Sequence, residues 1–139
     1  MKRLAIAFSL IGLAVLVVAC GSKGAPTGKV IKSASAGNNL NVSFATNDGV
    51  LKHGNSEFTL SFTDAAGKAT DVGAVALTFR MPQMGTMSEM NDAATFTTTD
   101  TPGVYRGRAN IESAGEWQVK ITYEGPAGRG QATFQIVAQ

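Results

Sequence analysis

The most distinctive chemistry in this chain lies in Met81-Pro82-Gln83-Met84-Gly85-Thr86-Met87-Ser88-Glu89-Met90, where four methionines recur every third residue. The fifth methionine is Met1. A thioether sulfur is soft, polarizable and uncharged, so it serves either as an adaptable core filler or as a ligand for a soft ion, chiefly Cu(I). Thioethers need no deprotonation to bind, unlike thiols. Sulfurs three apart drift around a helix and alternate across a strand, so neither element keeps all four on one face. Pro82 and Gly85 argue against a regular helix or central strand, and predict an irregular loop able to bring sulfurs together. Met81, Met84 and Met87 are the leading candidate ligands and Met90 the fourth. Met84 and Met87 flank Gly85-Thr86 and are freest to converge. His53, the only histidine, joins them only if the fold brings its turn to the same end of the molecule.

Two other readings of the stretch stay open. Met81 continues the alternation of Val75, Leu77 and Phe79, so some sulfurs could cap one end of a core or pack on Phe79 and Phe96. A methionine-rich surface could instead contact another protein. Glu89 and Asp92 would draw a cation toward the sulfurs only weakly from exposed positions.

The elements that position this stretch begin after a targeting segment. Lys2 and Arg3 precede the apolar run Leu4 to Val18, which is shorter than the roughly 20 residues of a spanning helix. It closes on Val17-Val18-Ala19-Cys20-Gly21-Ser22, which resembles a bacterial lipoprotein lipobox. That resemblance implies a helical signal peptide over 1–19, cleavage before Cys20 and a lipid on the only cysteine of the chain. The partner implied is a lipid bilayer outside the cytoplasm, and Gly21 after Cys20 hints at the outer membrane, facing the periplasm, where one exists. Residues 20–38, rich in Gly, Ala, Ser, Lys and Asn, read as a flexible tether, with a thin signal for an edge strand near Lys29 to Lys32.

Of the 12 basic residues, Lys2 and Arg3 fall in the signal, whereas none of the 10 acidic ones does, so the rest of the chain is formally neutral. Nucleic-acid binding therefore has no electrostatic footprint. With no cysteine beyond Cys20, a disulfide framework or a cysteine zinc site is excluded from the folded part. No phosphate-cradling loop opens a helix, which leaves nucleotide binding unsupported. One histidine without a defined serine or carboxylate partner does not make a triad, so the chain reads as a binding protein and not an enzyme.

From Leu40 the pattern is of short alternating runs separated by turn residues. Leu40-Val42-Phe44, Phe58-Leu60-Phe62, Val75-Leu77-Phe79, Ala94 to Thr98, Val104 to Ile111, Trp117-Val119-Ile121-Tyr123 and Ala132-Phe134-Ile136 each alternate with polar or small neighbours. About seven strands with no amphipathic helix predict an all-β, antiparallel two-sheet sandwich over 39–139. Trp117 is expected in its core.

Several motifs in order then resemble a known family. These are Gly54-Asn55 before a strand, Asp64-Ala65-Ala66-Gly67, Arg80-Met81-Pro82-Gln83-Met84-Gly85, Pro102-Gly103-Val104-Tyr105-Arg106-Gly107 and Ala114-Gly115-Glu116-Trp117-Gln118-Val119. Spanning about Val42 to Val137, they resemble YtkA-like and FixH-like domains. The resemblance implies an immunoglobulin-like sandwich outside the cytoplasm, in a group that includes lipoproteins and domains attached to metal-efflux adaptor proteins. FixH-like relatives are associated with maturation of copper-containing oxidases, so a metal-efflux adaptor or a copper-oxidase assembly protein is the implied partner. Related sequences often carry His or another Met directly after Met-Pro-x-Met-Gly, where this chain has Thr86 and then Met87. The function expected is Cu(I) handling at a thioether loop, for delivery or efflux. The alternative is a metal-free structural or interaction module of an envelope transport or assembly complex.

Overall fold

Alternation of large apolar with small polar residues gives each strand one face that excludes water and one that tolerates it, and two sheets built this way close on each other. The computed structural model describes residues 28–139. Cys20, the signal segment and most of the expected tether lie outside the described residues. Nine strands follow in chain order: β1 Lys29–Gly37, β2 Leu40–Thr46, β3 Gly54–Thr63, β4 Ala74–Met81, β5 Met90–Ala93, β6 Thr95–Thr98, β7 Val104–Ile111, β8 Gly115–Gly125 and β9 Gly128–Ala138. They form a five-stranded sheet in the order β1-β2-β3-β7-β6 and a four-stranded sheet in the order β5-β4-β8-β9. All pairings within the sheets are antiparallel. The fold is an all-β immunoglobulin-like sandwich.

The core sits where the inward faces meet. Phe44 stacks on Phe58 with centroids 4.6 Å apart, and Phe79 and Phe134 of the other sheet meet Phe44 edge-on at 6.2 Å. Trp117 is fully buried, as expected, and its indole N–H donates to the Ser113 carbonyl at 3.0 Å. That bond satisfies the one polar atom the ring brings inside.

Nine strands rather than seven require three corrections. The tether expected through residue 38 ends earlier, because Lys29–Gly37 is β1. An edge strand buries few side chains, and apart from Ala36 those of β1 are exposed or half-buried, so its sequence shows little apolar alternation. The single strand expected at 94–98 is the end of a longer path. β5 pairs with β4, and at Ala94 the chain leaves that sheet and enters the other as β6. The irregular loop expected around the methionines is instead the end of the β4–β5 hairpin, described below.

Candidate metal centre

The β4–β5 ladder pairs Thr78 with Ala93, Phe79 with Asp92, Arg80 with Asn91 and Met81 with Met90. Pro82 has no N–H to donate and interrupts the ladder. The same register then resumes at the tip. Met84 and Met87 pair as an isolated antiparallel bridge, exchanging both backbone hydrogen bonds, Met87 N–H to Met84 O at 2.9 Å and Met84 N–H to Met87 O at 3.3 Å. Gly85-Thr86 forms the two-residue turn between them. Gly85 has φ +57°, while Thr86 is not among the residues of positive φ. This is the II′ pattern, whose first central position favours glycine and whose twist suits a hairpin.

This register sorts the four methionines. Met81 faces Met90 and Met84 faces Met87, so the three-residue spacing becomes two cross-strand pairs. Side chains alternate faces along a strand, and three residues separate the pairs, which puts them on opposite faces of the hairpin. Exposure agrees with that division. Met81 is 8% exposed and belongs to the core, and Met90 is half-buried against the same core, whereas Met84 is 66% and Met87 54% exposed. Met81 is further held by the Ser113 hydroxyl, 3.8 Å from its sulfur, and Ser113 is the residue that accepts from Trp117.

Residues that exchange both backbone bonds lie about 5.5 Å apart between Cα atoms, with side chains side by side. Met84 and Met87 are therefore neighbours on one exposed face, able to bring two thioethers to a single soft ion. The four-sulfur cluster that the spacing allowed is divided into a core pair and a surface pair.

The charged groups nearby are engaged elsewhere. Glu89 forms an ion pair with Arg80 at 3.1 Å and accepts from Asn91 Nδ2 at 3.0 Å. The bond from Arg80, then that from Asn91, holds its carboxyl below the ordinary glutamate value. Asp92 accepts from the Glu112 backbone N–H at 3.2 Å. From Pro82 to Ser88 the tip carries no ionisable side chain.

His53 does lie at the same end of the sandwich, because its backbone N–H and Nδ1 both approach the carbonyl of Gln139, at 2.8 and 2.9 Å. Gln139 follows β9, and β8 separates β9 from β4. At about 4.8 Å per strand, the ring stands about 10 Å or more to the side of the hairpin base. Among the described residues no group of three or more His, Cys, Asp or Glu converges on a metal position. Two surface depressions also lie elsewhere. One of about 430 Å³ and another of about 650 Å³ are lined by outward residues of β3 and β7 such as Glu57, Thr59, Arg106 and Arg108. The Met84–Met87 pair instead stands exposed at the end of a hairpin.

Fold and hairpin together define a small immunoglobulin-like domain that presents a pair of exposed methionines at one end. The chain belongs to the YtkA-like family, whose profile matches residues 34–122 and so takes in the strands from within β1 into β8, with the whole methionine hairpin. Neither curated proteins nor solved structures gave a significant match.

Sequence reasoning missed the register. The signal was present, since a Gly-x turn at 85–86 with methionines mirrored about it is a hairpin pattern.

Proposed function

We propose that this protein is an extracytoplasmic, lipid-anchored domain that binds Cu(I) at the Met84–Met87 pair and passes it on or removes it, acting as a binding module without catalysis. The observation that carries this reading is the pairing of two exposed methionines on one face of a hairpin tip. Paired across a two-residue turn, these two exposed thioethers are side by side and open to an ion from solvent. Soft uncharged donors suit Cu(I) in a chain whose only thiol is Cys20. Anchoring at Cys20 to a lipid bilayer, in the outer membrane facing the periplasm where one exists, rests on the lipobox. A metal-efflux adaptor or a copper-oxidase assembly protein is the partner proposed on family grounds.

Membership of the YtkA-like family supports a copper-related role in general terms. The ligand set narrows within it. Met81 and Met90 serve the core, and His53 is held on the Gln139 carbonyl. Competition for Cu(I) against a chromophoric chelator tests the proposal. Wild type and Met81→Leu should withdraw copper from the chelator, whereas Met84→Leu/Met87→Leu should not. Equal withdrawal by the double variant and wild type, or none by wild type, would sink it.

The exposure of the pair favours one second reading, a metal-free contact for another envelope protein, since methionine surfaces repack against different partners. Retention of a partner under strong Cu(I) chelation, with loss on replacing 83–88, would support that reading instead.

A further inference from the structure

A Cu(I) ion held by two neutral thioethers still has room for further soft donors. Among the described residues none supplies the remainder. Met81 is buried on the far face of the hairpin with Ser113 on its sulfur, and Met90 lies half-buried against the core. His53 is bound to Gln139 and displaced sideways by the strands between. Glu89 is engaged by Arg80 and Asn91, and is a hard donor in any case. Further soft donors can therefore come from another molecule.

We propose that a second copy of this chain supplies them, so that one Cu(I) is held between two hairpin tips by Met84 and Met87 of each protomer. This rests on the Cu(I) reading above and adds the remaining donors. Three features favour a second copy. The segment Pro82 to Ser88 is uncharged, so two identical tips meet without like-charge repulsion. The nearest charges, Arg80 and Glu89, neutralise each other within each protomer. The tip also narrows to the two-residue turn Gly85-Thr86, with an exposed methionine on either side, so two such faces can approach about a two-fold axis on which the ion sits. A symmetric contact of this type requires a self-complementary patch, and a pair of like thioethers is one. The surface outside the ion is small, so the copper and not the protein contact holds the dimer, and the dimer dissociates when copper is withdrawn. Such a site suits transfer, since a partner offering soft donors displaces one protomer in exchange.

All nine strands and the core lie between Lys29 and Ala138, so a chain beginning at Gly21 keeps the whole sandwich. Its mass in solution, measured with increasing Cu(I) under reducing, oxygen-free conditions, tests the proposal, together with a count of sulfur scatterers around copper by X-ray absorption. The expected result is a monomer without copper, a doubling of mass that completes at half an equivalent of Cu(I), and four sulfurs about the metal. A strong Cu(I) chelator should restore the monomer, and Met84→Leu/Met87→Leu should stay monomeric throughout. A monomeric one-to-one complex with two sulfurs would overturn the shared site while leaving Cu(I) binding by the pair intact. No uptake of copper at all would overturn both. A dimer that forms equally in the double variant would place the contact away from the hairpin tip and overturn the proposal as well.

Discussion

Substituting alanine at Met81 and at Met84 should have very unequal consequences for stability. Met81 is 8% exposed, holds the Ser113 hydroxyl at 3.8 Å and stands beside Gly115, where an added Cβ would come within 3.1 Å of the methionine Cε. Removing its side chain leaves a void beneath the crossing from β7 to β8, where Trp117 is anchored on the same Ser113. Core Met→Ala changes cost about 2 to 5 kcal/mol, and a residue at one end of the core belongs near the lower bound, about 2 to 3 kcal/mol. For a domain of this size about 1 kcal/mol shifts the melting temperature by roughly 4 to 8 °C, so Met81→Ala should melt ~10 to 20 °C lower. Met84 is 66% exposed, and Met84→Ala should change stability by about 0.5 kcal/mol or less. Thermal and urea unfolding of both variants without metal give the comparison. Equal destabilisation by the two substitutions would refute the division of the methionines into a core pair and a surface pair, as would a neutral Met81→Ala.

Other expectations follow from the same packing. At Gly107 a Cβ would overlap the rings of Phe58 and Phe96, so Gly107→Ala should destabilise by about 1 to 3 kcal/mol in urea unfolding. Gly85 has open space around it but φ +57°, so Gly85→Val should cost roughly 1 to 2 kcal/mol from backbone strain alone and Gly85→Asn less, and chemical shifts at 84–87 should report a disturbed tip in the valine variant. The Tyr105 hydroxyl accepts from Val72 N–H at 3.4 Å and lies 3.0 Å from the Gly73 carbonyl and 3.2 Å from Asp71 Oδ1. Burial raises its pKa above the ordinary tyrosine value of 10.0. A phenol whose folded pKa is raised contributes stability that is complete below the unfolded value and is lost as pH rises through the folded one. Tyr105→Phe should therefore cost about 1 to 2 kcal/mol at neutral pH and lose part of the alkaline decline, which denaturant midpoints from neutral pH to above the ordinary tyrosine range would reveal.

The sandwich was legible because alternation is strong where a strand buries one whole face, as in Trp117-Val119-Ile121-Tyr123, every member of which is buried. It was weak in β1, an edge strand rich in Lys and Ser. The turn that joins β1 to β2 did carry a signal. Asn38 and Asn39 both have positive φ, at 53° and 57°, and adjacent asparagines tolerate the I′ turn that needs this. In the methionine stretch residue types were informative and spacing misled. Three-residue periodicity matches neither helix nor strand when read along one segment, yet mirrored about Gly85-Thr86 it yields two facing pairs. Pro82 obscured this further by interrupting the ladder without shifting its register. The separation of His53 from the hairpin depends on strand order, which local pattern does not encode.

Which sulfurs meet the metal can be read directly, because the methyl signals of isotopically labelled methionines report each one separately. In the chain beginning at Gly21, four methionine methyl resonances are expected, assigned by single Met→Leu variants. Titration with Cu(I) should shift those of Met84 and Met87 and leave those of Met81 and Met90 largely in place. Equal movement of all four, movement of the core pair alone, or no movement of any would contradict Cu(I) binding at the Met84–Met87 pair.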